Sequence, residues 1–201
     1  MTVDDPRTLL RTQLRARRQA LTASERIASA MAVATQLEGI PEFLTDARIA
    51  GYWAVDGELS LHVALANLLR REQRYLLPRI VAPRRLRFGE WKPGDAIDNN
   101  RYGIPEPAQE DIEWLDAHAL DVILLPLLGF DRNGNRLGFG GGFYDATLAG
   151  LRLRDAASTP LLVGVGYAAQ EVAAIAPQPW DVRLDYIATE RELIDCWEQP
   201  G

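Results

Sequence analysis

The chain has 201 residues, of which 47% are apolar and 25% charged, a size and balance suited to one packed domain without a linker to a second. Its formal charge of −6 argues against nucleic acid as the main partner, and a sole cysteine, Cys196, excludes an internal disulfide and a cysteine-based zinc site. There is no apolar run long enough to span a bilayer and no basic-then-apolar leader, so a cytoplasmic protein with no membrane partner is expected.

In chain order, Pro6 follows Asp4 and Asp5 as a helix start, and Leu10, Leu14 and Leu21 keep helical spacing. Arg7, Arg11, Arg15 and Arg18 fall within about 80° of one another on that helix. They read either as its solvated face or as guanidinium groups offered to a polyphosphate. Lys92 is the sole lysine among 22 cationic side chains, so cationic contacts fall almost wholly to arginine, whose planar fork grips two oxygens at once. Thr22-Ala23-Ser24-Glu25 spells a capping box and predicts a second helix over Ala23 to Glu38, ended by Gly39 and Pro41.

Arg48 to Trp53 reads as a first strand, Leu61 to Glu72 as a helix and Arg74 to Leu77 as a strand. This β-loop-α-β order places Glu58 at the carboxyl end of the first strand, where open α/β sheets bind ligands. Glu58 could also simply face a helix N-terminus. Leu86 to Trp91 alternates like an antiparallel strand, and Arg101 to Pro107 is a stiff extended segment that lines a pocket or covers an edge. Asp111 to Ala119 is a connector or short helix. His62 and His118 match no metal or triad pattern and read as structural.

The densest signal begins at the apolar run Val122 to Leu128. A turn at Asp131-Arg132-Asn133-Gly134-Asn135 stops it, with Gly134 and both Asn able to take positive φ. Then come Gly138, Gly140, Gly141 and Gly142 and a helix-compatible segment from Phe143 to Leu151, ending near Asp155. Such a loop either makes a tight bend or lets backbone N–H groups close on a phosphate. Arg136 before it supplies a mobile cation, and Asp145 after it a carboxylate able to hold Mg²⁺. Gly142 is followed by Phe143, so a Walker A loop is excluded, and the position is too late for a dinucleotide fingerprint. Beyond it, Leu161 to Tyr167 is a strand, Gln170 to Ile175 a short helix, Pro177 to Asp181 a constrained turn and Asp185 to Thr189 the final strand. The fold expected is α/β: a single three-layer domain, 1–201, with a largely parallel central sheet and flanking helices.

The run GFDRNGNRLGFGGGFYD resembles the glycine-rich signature of the 5-formyltetrahydrofolate cyclo-ligase family, also called 5,10-methenyltetrahydrofolate synthetase. The resemblance extends to Arg7-x-x-x-Arg11, Asp56-Gly57-Glu58, Leu77-Pro78-Arg79, Gly103 to Pro107 and Trp180-Asp181-x-x-x-Asp185, nearly the whole chain in order. It implies an ATP- and Mg²⁺-dependent ring closure. ATP phosphorylates the formyl oxygen of 5-formyltetrahydrofolate, the second folate nitrogen attacks, and phosphate leaves. It further implies ATP contacts from Arg7, Arg11 and the loop Arg136, Leu137, Gly138, Phe139, Gly140, Gly141, Gly142, Phe143 and Tyr144, with Arg136 and Tyr144 as the catalytic pair. Folate is expected to meet Glu58 and the segment Phe139 to Phe143. Trp53, Tyr102 and Phe143 are stacking candidates, although core packing suits Trp53 better. Asp145 and Asp181 would hold the metal. The family often has lysine where Arg7 stands, and some members carry basic residues at the positions of Phe139 and Gly141. A monomer acting on a small-molecule folate, with or without a polyglutamate tail, is expected. A phosphosugar- or nucleotide-sensing module on the same fold is the alternative, followed by an RNA-binding protein using the arginine helix.

Overall fold

The structure is a computed structural model and describes residues 5–109, 111–152 and 159–197. Asp155, where the sequence places the end of the post-loop helix, lies outside the described residues.

Helix α1 (Pro6–Gln19) opens on Asp5, whose side chain accepts from the Arg7 amide. α2 (Ala23–Leu37) opens on the capping box expected at Thr22 and Glu25, with both reciprocal hydrogen bonds formed. Pro41 does not merely end that helix: its fixed φ starts another, α3 (Pro41–Thr45). Strand β1 (Arg48–Ala50) is shorter than the sequence suggests and is followed by the loop carrying Glu58, then α4 (His62–Arg70) and β2 (Arg74–Ala82). β3 (Arg85–Glu90) returns antiparallel to β2. The stiff Pro-flanked segment folds as a hairpin of β4 (Ile97–Asn99) and β5 (Pro105–Pro107). Buried Glu106 ties it to β2 by accepting from the Ile80 amide at 3.0 Å and from Asn100 Nδ2 at 2.8 Å.

The 111–119 connector contains β6 (Trp114–Leu115) and a 3₁₀ turn, Ala117–Ala119. β7 (Val122–Pro126) follows, then a small hairpin of β8 (Gly129–Phe130) and β9 (Arg136–Leu137). In the turn between them only Gly134 takes positive φ, at 79°. The buried Asp131 carboxylate fixes this turn instead, accepting from the Asn133 and Asn135 amides and from Ile175 N at 2.8 Å. After the glycine loop, α5 spans only Phe143–Thr147 and gives way to a 3₁₀ turn, Ala149–Leu151. The last strands are β10 (Leu161–Val165), β11 (Tyr186–Ala188) and β12 (Leu193–Asp195). The helix expected over Gln170 to Ile175 is absent: a 3₁₀ turn, Ala168–Gln170, ends where Val172 N donates to Phe130 O at 2.9 Å and draws the chain extended.

The main sheet has eight strands in the order β12-β11-β10-β7-β1-β2-β3-β6. Its centre, β11-β10-β7-β1-β2, is parallel, and both flanks are antiparallel. Because side chains alternate across a strand, Ile49, Val122, Leu124 and Val163 enter one apolar layer under α2, α3 and α4. Ala50, Ile123, Leu125 and Leu162 enter the other, covered by α5, the Ala117 turn and the 182–184 segment. A third cluster of Leu14, Leu128, Leu137 and Ile175 fastens α1 to the β8–β9 hairpin. Chain order reverses between β1 and β7, which makes their carboxyl ends the switch point where an open α/β sheet leaves a crevice.

Candidate functional site at the switch point

The loop after β1 brings Glu58 to this crevice, and the segment after β7 brings the glycine loop. Asp56 and Gly57 both take positive φ, 49° and 78°, turning the chain so that Glu58 Oε2 accepts from the Val55 amide at 2.9 Å. Glu58 is buried, and desolvation pushes its carboxyl up to about 7, against lowering by the Val55 hydrogen bond and by Arg18. Tyr52, Tyr144 and Tyr167 stand near enough to feel its charge. The Tyr167 hydroxyl donates to the Glu58 carbonyl at 3.4 Å, and the Tyr52 hydroxyl to the Leu59 carbonyl at 2.6 Å.

Gly140 and Gly142 sit at φ 99° and 67°, a region in which a side chain is strained, so the loop conformation requires glycine there. A Cβ at Gly138 would meet nothing within 4 Å, which leaves open space beside the backbone. α5 has only five residues, so little macrodipole stands behind this loop, and the positive potential there comes mainly from its own N–H groups.

All four stripe arginines make contacts in this region, although Arg15 remains about half exposed. Arg7 donates to Asp181 Oδ2 at 2.5 Å and to the Ala176 carbonyl at 2.8 Å. Arg11 Nε donates to the Gly138 carbonyl at 3.0 Å. Arg15 and Arg18 reach Asp56 at 3.4 and 2.8 Å, and both lie over the Phe139 ring. Arg18 is the residue that sequence reasoning undervalued, for it is fully buried. Its place four residues after Leu14 and three before Leu21 puts it on the apolar stripe, which is the signal that could have singled it out.

Arg136 is not the mobile cation expected. It is 8% exposed, with Nη1 donating to the Val182 carbonyl and Nη2 to Asp145 Oδ1. Burial lowers its pKa, while Asp145 and Asp181 oppose that shift, so both carboxylates lie within its field. Asp181 also accepts from the Gln178 amide at 2.9 Å in the constrained turn. The Tyr144 hydroxyl is held protonated, desolvation raising its pKa with help from Glu58 and Tyr75. Tyr102 and Phe143 meet edge to face, ring centroids 5.8 Å apart, at the open side of the loop. Trp53 does not join them. It packs edge to face on Trp91 at 5.5 Å, beside a cavity of about 30 Å³ with Tyr52, Leu61 and Tyr75, too small for a fused ring system and consistent with the core role.

A largely parallel sheet with a switch-point crevice, bordered by a glycine loop, a stripe of arginines and a desolvated carboxylate, defines a protein of the α/β class. A model of the 5-formyltetrahydrofolate cyclo-ligase family matches residues 3–190. The chain is 32% identical to the 5-formyltetrahydrofolate cyclo-ligase of Haemophilus influenzae, covering 87% of this chain and 92% of that protein. It is 31% identical to that of Escherichia coli, covering 92% and 99%. The fold superposes on the Aquifex aeolicus 5,10-methenyltetrahydrofolate synthetase with a TM-score of 0.80 at 26% identity, over 97% of this chain and 95% of that one. The chain belongs to the 5-formyltetrahydrofolate cyclo-ligase family and is an enzyme of the cyclo-ligase type.

Proposed function

We propose that this enzyme closes the ring of 5-formyltetrahydrofolate to give 5,10-methenyltetrahydrofolate, using ATP and Mg²⁺, through phosphorylation of the formyl oxygen. The observation that supports it most is the facing of two sets of groups across the β1–β7 switch point: Glu58 on one side, and the glycine loop with Arg7 and Arg11 on the other. Glu58 accepts N–H donors of the pterin, Tyr102 and Phe143 offer their rings to its flat system, and Trp53 stays in the core. Arg11 and the loop N–H groups orient the triphosphate so that its terminal phosphorus stands opposite the formyl oxygen.

Asp145 and Asp181 fit a magnesium ion in chemistry, being hard oxygen donors that share the field of one guanidinium, and they would hold it. When bound there, the ion neutralises phosphate charge. Arg136, anchored by Asp145 and the Val182 carbonyl, would stabilise the transferring group, and the neutral Tyr144 hydroxyl would donate a hydrogen bond where charge develops. No protein nucleophile is required, because the second folate nitrogen attacks the activated carbon and phosphate departs with the former formyl oxygen.

Among the described residues no helix is long and apolar enough to cross a membrane. The test is absorbance at the methenyl-folate band on mixing protein, 5-formyltetrahydrofolate, Mg²⁺ and ATP. A band that grows only with ATP is expected; no band from folded protein overturns the assignment.

A further inference from the structure

Arg18 is the most fully buried cation of the described chain, at 0% exposure. Nη2 donates to Asp56 Oδ2 at 2.8 Å, but Nε and Nη1 are buried with no hydrogen-bond partner. The Phe139 ring lies over the guanidinium, 4.9 Å from Cζ to centroid. Two donor nitrogens without acceptors on a desolvated charge are costly, and the ring face offsets only part of that cost. Such a group is retained for what it holds in place. One of its contacts, Asp56, opens the positive-φ turn that ends in Glu58; the other, Phe139, is the tip of the glycine loop. Gly138 and Gly140 flank Phe139 in nearly open space, the closest neighbour of a Cβ at Gly140 being Arg11 at 3.7 Å, so the ring moves with whatever orders the loop. A single guanidinium therefore bridges the two halves of the crevice.

We propose that Arg18 is a positioning residue that couples the two ligand sites, clamping the Asp56–Glu58 turn and Phe139 in one arrangement so that occupation of either side strengthens binding at the other. This inference rests on the assignment of Glu58 to folate and of the glycine loop to ATP. Ordering the loop with a triphosphate seats Phe139 on Arg18. That seats Asp56, and the turn presents Glu58. Linkage makes the effect reciprocal, so folate tightens the nucleotide by the same factor.

The test is titration calorimetry of 5-formyltetrahydrofolate with and without a saturating, non-hydrolysable ATP analogue and Mg²⁺. For the wild type, the analogue is expected to tighten folate about tenfold, within the usual range of coupling. In Arg18→Gln each ligand still binds alone, but the ratio falls to about one, and Arg18→Lys recovers part of it. Phe139→Leu keeps the charge and its Asp56 partner, removes the ring, and is expected to lose the ratio as well. Should Arg18→Gln fail to fold by circular dichroism, Phe139→Leu decides alone. A wild-type ratio of one, or a full ratio in Phe139→Leu or in folded Arg18→Gln, overturns the coupling while leaving the enzyme assignment intact. Failure of the wild type to bind either ligand overturns that assignment and the coupling with it.

Discussion

Glu58 shows how a site residue works against its own solvation. Its carboxyl is raised to about 7 chiefly by burial, so near neutral pH it is divided between acid and carboxylate, and in the proposed role only the carboxylate would accept two pterin N–H donors. Folate affinity is therefore expected to rise with pH through about 7, read as a falling folate Kd across pH 6 to 8. Glu58→Gln should weaken folate by about tenfold or more, the loss of a charged hydrogen bond, while ATP-analogue binding stays within about twofold. Equal loss of both ligands in folded Glu58→Gln would remove Glu58 from the pterin. Asp145 pairs with Arg136 and, in the proposed function, would also hold the metal. Asp145→Asn is expected to raise the Mg²⁺ concentration needed for half activity more than it changes folate KM. It also leaves Arg136 without its anionic partner, a cost of roughly 2 kcal/mol, moderated because Asp145 is partly exposed. An unchanged magnesium requirement would move the metal elsewhere. Tyr144→Phe removes one neutral donor and is expected to lower kcat about a hundredfold with both ligand affinities preserved.

At the scale of elements, the helices and the loop are separable in their effects. The capping box at Thr22 closes the first turn of α2 through hydrogen bonds local to that helix. Thr22→Ala should therefore lower stability by about 1 kcal/mol in a denaturant titration and leave KM for both substrates unchanged. Gly142 caps α5 in the left-handed region at φ 67°. Gly142→Ala should cost about 1 kcal/mol and, unlike the cap on α2, should raise KM for ATP, because the strain falls on the loop itself. A Gly142→Ala enzyme with wild-type ATP KM would show that the loop does not shape the nucleotide site. With little helix dipole behind the loop, the proposed nucleotide site would depend on cationic side chains from α1, of which Arg11 already reaches the Gly138 carbonyl.

For the whole molecule, Glu58 also leaves a mark on stability. Its folded pKa lies above the unfolded value, so the native state binds the extra proton. Its contribution is complete below about 4.5 and is lost as pH rises through about 7. Wild-type stability should decline over that window by on the order of 3 kcal/mol on this account, and the decline should be absent in Glu58→Gln, as measured by urea midpoints from pH 5 to 8. Equal slopes in the two proteins would refute the burial argument.

Sequence patterning by itself determined much of this protein, because local physics decides it. The capping box, the proline start of α1, the alternating strands and the glycine-loop composition each depend on residues a few positions apart. Together with motif order they were enough for the α/β class and the family. Only the tertiary structure decided the rest. α5 breaks early and the 170–175 segment lies extended because long-range hydrogen bonds to Phe130 and packing under the sheet outweigh weak local propensity. β12 and α3 are short pieces whose existence depends on the edge strand and on the layer they cover. The switch point lies between strands whose paired residues, such as Ile49 and Val122, are 73 positions apart, which no local period encodes. Arg18 and Arg136 became buried anchors rather than solvated cations because Asp56, Phe139, Asp145 and Val182 arrive from distant segments to enclose them.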